Sequence, residues 1–147
     1  MNRFELRLRV PKSVHRRSGR GTIIIGDFRE SFTASFHFWR PEQYLENWCN
    51  SLRLMLNGSA RGCFITNMNS DLKGNNGYGM SWEFFRVDKD IVFHNRLIMP
   101  EAPIEGLASL NPEPWVEERE TVTEDGFPIS EWRVRRENLR VNLKLTV

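Results

Sequence analysis

The sequence predicts an α+β fold, a single domain in which a mostly antiparallel β-sheet packs against one main α-helix. Three observations carry this. Strand-like runs with period-two or β-branched character recur along the 147 residues. One segment alone, from Pro41 to Leu56, spaces its apolar residues as a helix does. Turn signals at Asn57-Gly58, Asp88-Lys89-Asp90 and Asp125-Gly126 cut the remainder into short pieces.

Phe4, Leu6, Leu8 and Val10 alternate with Glu5, Arg7 and Arg9, which reads as a strand ended by Pro11. The basic, glycine-containing stretch from Lys12 to Gly21 has no period and is expected as a loop or arm. Thr22 to Ile25 is β-branched, and Phe28, Phe32, Ala34, Phe36 and Phe38 then fall on one side of a period-two pattern, opposite Ser31, Thr33, Ser35 and His37. In the helix, Pro41 and Glu42 suit the first turn and Asn57-Gly58 supplies a left-handed stop. Its stripe of Tyr44, Leu45, Trp48, Leu52, Met55 and Leu56 is expected to cover the aromatic face of the sheet. Gly62 to Met68, Gly79 to Val87 and Ile91 to Met99 read as three further strands, the last two as a hairpin. Beyond the proline-interrupted stretch 100–114, Glu117 to Thr123 and Ile129 to Arg135 flank Asp125-Gly126 as a second hairpin. The tail from Glu137, with Val141, Leu143, Leu145 and Val147, reads as a terminal strand, with a short helix as the alternative.

Composition excludes several classes. Hydrophobic residues at 39% and aromatics at 12% argue against global disorder, and no apolar run exceeds three residues, so a membrane-spanning helix and a signal-peptide core are both missing from the pattern. Cys49 and Cys63 form no CxxC and have no histidine at a zinc-ligand spacing, so reduced thiols in the cytoplasm are expected. No metal or cofactor motif is read. In Gly74-Asn75-Asn76-Gly77-Tyr78-Gly79 a strand-like run follows the glycines, whereas a phosphate-binding loop opens a helix.

Charge is uneven. Residues 1–20 carry seven basic side chains against Glu5, a net of +6, while residues 101–131 carry nine acids against Arg119, a net of −8. The acidic block would attract a positively charged protein and repel phosphate; a merely solvated face is the bland alternative. The basic arm, with His15, Arg16, Arg17 and Arg20, lacks the interleaved aromatics that stack bases, which disfavours nucleic acid as its ligand. His37 and His94 belong to no local constellation with a nucleophile, and an acid/base pair would require them to meet across the sheet.

The segment Arg119-Glu120-Thr121-Val122-Thr123-Glu124-Asp125-Gly126, continued by Ile129-Ser130-Glu131-Trp132-Arg133-Val134, resembles the C-terminal signature of bacterial contact-dependent growth inhibition immunity proteins. Gly26-Asp27-Phe28-Arg29-Glu30-Ser31-Phe32 leading to Phe38-Trp39, Gln43-Tyr44 and Trp48 in the helix, and Asn111-Pro112 fit the same family in order. The resemblance covers Thr22 to Arg136. Together with the readings above, it divides a single domain at 1–147 into a basic amino-terminal strand and loop at 1–21, which departs from the family pattern, a family-like body at 22–136 and a terminal strand or short helix at 137–147.

It further implies a small cytoplasmic protein without catalytic activity. Its partner would be the cognate C-terminal toxin domain of a neighbouring cell, often a nuclease with a basic cleft. From charge and hairpin exposure, the expected toxin contacts are Glu117, Glu118, Glu120, Glu124 and Asp125, with Trp115 as an aromatic anchor. Two rival readings are a small hydrolase or nuclease using His37 and His94, and an RNA-binding module working through the amino-terminal arm.

Overall fold

A computed structural model describes residues 2–13, 15–70, 77–98 and 116–147, with Ser70 and Gly77 as backbone alone. Eight strands and one helix follow in the order β1 (Arg3–Arg9), β2 (Ser18–Ile25), β3 (Phe28–Ser35), α1 (Pro41–Leu56), β4 (Arg61–Ser70), β5 (Gly77–Val87), β6 (Asp90–Ile98), β7 (Trp132–Arg135) and β8 (Arg140–Thr146). The α+β, mostly antiparallel expectation holds, and the strands divide between two four-stranded sheets, β3-β2-β1-β8 and β4-β5-β6-β7. Only the β1–β8 pair is parallel among the described strands.

In the first sheet the alternation of β1 decides the two faces. Phe4, Leu6 and Leu8 are fully buried and lie beside Ile25, Ile23 and Gly21 of β2 and Val141, Leu143 and Leu145 of β8. The expected loop at Lys12–Gly21 gives up its last four residues to β2. Gly19 and Gly21 continue the inward positions, with the Phe36 and Phe32 rings seated where their side chains would be. A Cβ on Gly21 would also come within 2.8 Å of the Arg7 carbonyl oxygen, so these glycines extend the strand that they seemed to interrupt. The aromatic alternation breaks after Ser35, where the chain turns through 36–38.

The helix covers part of the aromatic inner face, as expected, with Trp48 edge-on to Phe32 and Tyr44 tilted against Phe36, each at 6.2 Å, and the second sheet covers the rest. Phe4 stacks on Phe93 with ring centroids 4.9 Å apart and tilts against Phe64 at 4.7 Å, while Phe28 meets both Trp82 and Trp132. Each such ring removed from water contributes about 1.5–3 kcal/mol.

The helix has another task. It begins at Pro41, where the Arg40 N–H donates to the Gln43 side chain at 2.9 Å. It ends with Gly58 at φ +84°, whose N–H and that of Ser59 return to the Met55 and Leu54 carbonyls. Its buried face is Tyr44, Asn47, Trp48, Ser51 and Met55, so two polar residues enter the expected stripe and Leu56 leaves it, 55% exposed.

The reason lies in β4, an edge strand whose outward backbone groups need partners. Asn47 accepts the Ile65 N–H at 2.8 Å, Trp48 donates to the Ile65 carbonyl at 2.7 Å, and Ser51 donates to the Cys63 carbonyl. The Tyr44 hydroxyl accepts the Met68 N–H at 2.9 Å and donates to the Ser35 carbonyl at 2.6 Å, tying β4 to the first sheet. Burial pushes that phenol up to about 12.

Candidate functional site

The outer face of the second sheet carries a row of polar side chains across β4, β5 and β6. Cross-strand register puts Cys63 beside Glu83 and Glu83 beside His94, with Ser81 beside Arg96 one step along. Glu83 is 5% exposed, and Arg96 Nη1 donates to its Oε2 at 3.2 Å. Burial raises the Glu83 carboxyl above its ordinary range, and the Arg96 guanidinium works against that rise. Burial, assisted by Glu83, also pushes the Cys63 thiol well up, which suits an inert thiol.

A second cluster adjoins this row. Glu131 takes two hydrogen bonds from Arg119, each 2.7 Å, and lies 2.7 Å from His94 Nε2. The Arg119 hydrogen bonds, followed by that from His94, hold the Glu131 carboxyl down at about 2, against the opposing effect of its burial. The same pairing raises Arg119. With buried Val116 as a foot, these contacts fix the segment 116–131 over β5 and β6.

That segment is not the full hairpin expected. Glu117 to Thr123 forms no strand, and Ile129 to Arg135 contributes only Trp132–Arg135, paired to β6. What remains between 121 and 129 is a tight loop. The Thr123 N–H reaches the Phe127 carbonyl at 2.7 Å, the Ile129 N–H reaches the Thr121 carbonyl at 3.0 Å, and Val122 and Pro128 form one isolated bridge. Pro128 has no N–H to offer a longer ladder.

Between the loop and the sheet opens a cleft of about 260 Å³ lined by Glu83, Phe85, His94, Asn95, Arg96, Glu117, Glu118, Glu120 and Ile129. Three of the expected contacts, Glu117, Glu118 and Glu120, therefore stand together at one mouth. Glu124 and Asp125 lie apart from the lining, on the exposed turn. Trp115, like Glu101, Glu105 and Glu113, lies outside the described residues.

Glu83, Arg96, Arg119 and Glu131 were not singled out from sequence as parts of one site. The available signal was Glu83 itself, a carboxylate set between Trp82 and Phe84 inside a strand. Among the described residues no contact joins His37 to His94. His37 is exposed with its ring against Phe38, whereas His94 is bound to Glu131. Among the described residues no group of three or more His, Cys, Asp or Glu side chains is placed to hold a metal ion. No described helix is long and apolar enough to cross a membrane.

A family model described as the CdiI N-terminal domain matches residues 34–141, most of the chain and all of this site. The chain belongs to the CdiI family. The resemblance carried by 119–126 and 129–134 is thereby borne out. A curated relative, the immunity protein CdiI of Enterobacter cloacae subsp. cloacae, is 26% identical over 111 residues, which are 76% of this chain and 74% of the relative. The fold of this CdiI-family chain is also that of a solved structure described as the CdiA-CT/CdiI toxin and immunity complex from Enterobacter cloacae. The match has a TM-score of 0.70 at 22% identity and covers 90% of both chains.

Proposed function

We propose that this chain is an immunity protein. It binds the cognate C-terminal toxin domain of a contact-dependent growth inhibition system in the cytoplasm and neutralises it by covering the toxin's active site. The observation that carries this is the CdiI family match across residues 34–141; the relative named as an immunity protein and the fold shared with the toxin and immunity complex support it.

The chemistry of the site supports a basic partner, and a nuclease is the toxin class proposed. A nuclease cleft must be cationic to attract phosphate, and Glu117, Glu118, Glu120, Glu124 and Asp125 offer it a run of exposed carboxylates in one segment. The arrangement preorganises that run, because Arg119 and Glu131 lock the middle of the segment while its acids stay exposed, Glu117 lying 3.9 Å from Arg96. A standard interface of about 800 Å² per partner takes roughly a tenth of this molecule's 9081 Å² surface. Trp115 is proposed as the aromatic anchor beside these acids.

The role is binding rather than catalysis. His94 has a carboxylate partner of structural use, and a buried Cys63 thiol with a raised pKa is a poor nucleophile.

The test mixes the purified chain with its toxin domain and follows both complex formation and toxin activity. Wild type binds and abolishes activity. The Glu118→Lys/Glu120→Lys variant associates about tenfold more slowly at low salt. Unchanged association removes this segment from the interface. A wild-type chain that neither binds nor protects overturns the immunity reading, and RNA hydrolysis by the chain that His37→Ala abolishes replaces it with an enzyme.

A further inference from the structure

The opposite side of the molecule carries the opposite charge. With Phe4, Leu6 and Leu8 facing inward, the alternation of β1 turns Arg3, Glu5, Arg7 and Arg9 to the outer face of the first sheet. Register extends the row to its neighbours. Arg3 lies beside Arg140, Arg7 beside Lys144 and Arg9 beside Arg20, and Arg29 of β3 sits across β2 from Glu5. The remaining positions on this face are Ile24, Thr22, Ser18, Ser31, Thr33, Ser35, Asn142 and Thr146, so Glu5 is its one acid among the described strand residues. Glu5 pairs with Arg7 at 2.6 Å. Arg9, Arg20, Arg29, Arg140 and Lys144 are exposed and have no acidic partner among the described residues.

The cations of the amino-terminal region thus join with others from β3 and β8. They form an array with backbone spacings of about 5 Å across strands and about 7 Å along them. Arginine supplies six of the seven, and its planar fork matches phosphate oxygens better than lysine does.

What the face lacks selects the partner. It exposes no aromatic side chain, so it has neither the stacking platform that single strands use nor the anchors that dominate protein interfaces. Its one large apolar residue, Ile24, is only 2% exposed, so nothing is available to insert into a lipid surface. A second copy of the chain docking its acidic segment here would make a head-to-tail contact, which builds rings or open filaments and would show as an assembly larger than a dimer. The geometry points to the backbone of a nucleic-acid duplex, bound without regard to sequence on the outer face of β3-β2-β1-β8. This surface lies on a different sheet from the acidic cleft and is independent of it.

The experiment follows the anisotropy of a labelled 20-base-pair RNA duplex of mixed sequence with the full chain between 50 and 200 mM salt. About five neutralised phosphates give a slope near −4.5 in log affinity against log salt, a loss of several hundredfold over that range. The Arg7→Gln/Arg9→Gln/Arg20→Gln variant lowers affinity at 50 mM salt at least tenfold and flattens the slope by 2 to 3. An Arg140→Gln/Lys144→Gln variant gives the same trend from another strand, should the first fold poorly.

Absence of duplex binding at 50 mM salt, or binding that neither variant weakens, overturns the inference. So does tighter binding to single-stranded RNA of equal length, or binding confined to vesicles of anionic phospholipid. Both variants retain toxin binding, so a failure here is distinct from a failure of the immunity reading.

Discussion

Replacing Glu131 by Gln tests the framework on which the acidic segment rests. The carboxylate takes two hydrogen bonds from Arg119 and lies at hydrogen-bond distance from His94, all three at 2.7 Å. Glutamine keeps one acceptor oxygen, so one bond to Arg119 survives. Set at the Oε2 position, that oxygen keeps the Arg119 Nε and His94 contacts without their charge, and the Arg119 Nη2 bond loses its acceptor. Bonds to charged groups are worth about 1.5–3 kcal/mol each. Arg119 is 22% exposed, so water recovers part of the loss, and a net cost of about 2–3 kcal/mol is expected.

For a chain of this length that cost lowers Tm by roughly 5–10 °C. Urea unfolding at pH 7, followed through the tryptophans, should show a lower midpoint with an unchanged slope. Association with the toxin should also slow, because a loosened loop has to be ordered on binding. A cost under about 0.5 kcal/mol would refute the reasoning, since the loop would then be held by something other than this carboxylate.

The same residue sets an acid limb. Glu131 is held at about 2 in the fold against an ordinary 4.5, so its contribution is complete above about pH 4.5 and is lost as pH falls through about 2. On the order of 1–2 kcal/mol should disappear over that window in wild type and not in Glu131→Gln, as read by urea midpoints at stepped pH. Asn47→Ala leaves the Ile65 N–H without its acceptor and should cost about 1–3 kcal/mol, with faster hydrogen exchange at the Ile65 amide. Gly21→Ala drives a methyl into the Phe32 ring and should cost about 1–3 kcal/mol by thermal melts. Gly126→Ala, at φ +83° with nothing near its would-be Cβ, should cost only about 1–2 kcal/mol.

Local pattern made much of this fold legible. The alternation of β1, the Pro41 start and Gly58 stop of α1, and the β5–β6 hairpin are each written in a few neighbouring residues. What pattern could not convey is which surface each element meets. Asn47 and Ser51 look like interruptions of an apolar stripe until β4 is seen as an edge strand whose carbonyl and N–H groups they satisfy. Gly19 and Gly21 look like loop residues until the Phe36 and Phe32 rings are placed above them. In the site, the acids of 117–125 declared themselves by charge density. Glu83, His94 and Glu131 belong together only through the pairing of β5 with β6 and the return of the chain beside it. Arg119, counted from sequence as a stray base in an acidic run, proves to be the clamp that holds the run in place.

The parallel pairing of β1 with β8 has a consequence for synthesis. Phe4 waits for Val141, and Leu8 for Leu145, so β1 keeps one side open until residues 140–146 have been translated. The first sheet cannot close while those residues remain inside the ribosome. A stop before residue 140 would remove β8, leaving an apolar flank uncovered and β1 as a new unpaired edge.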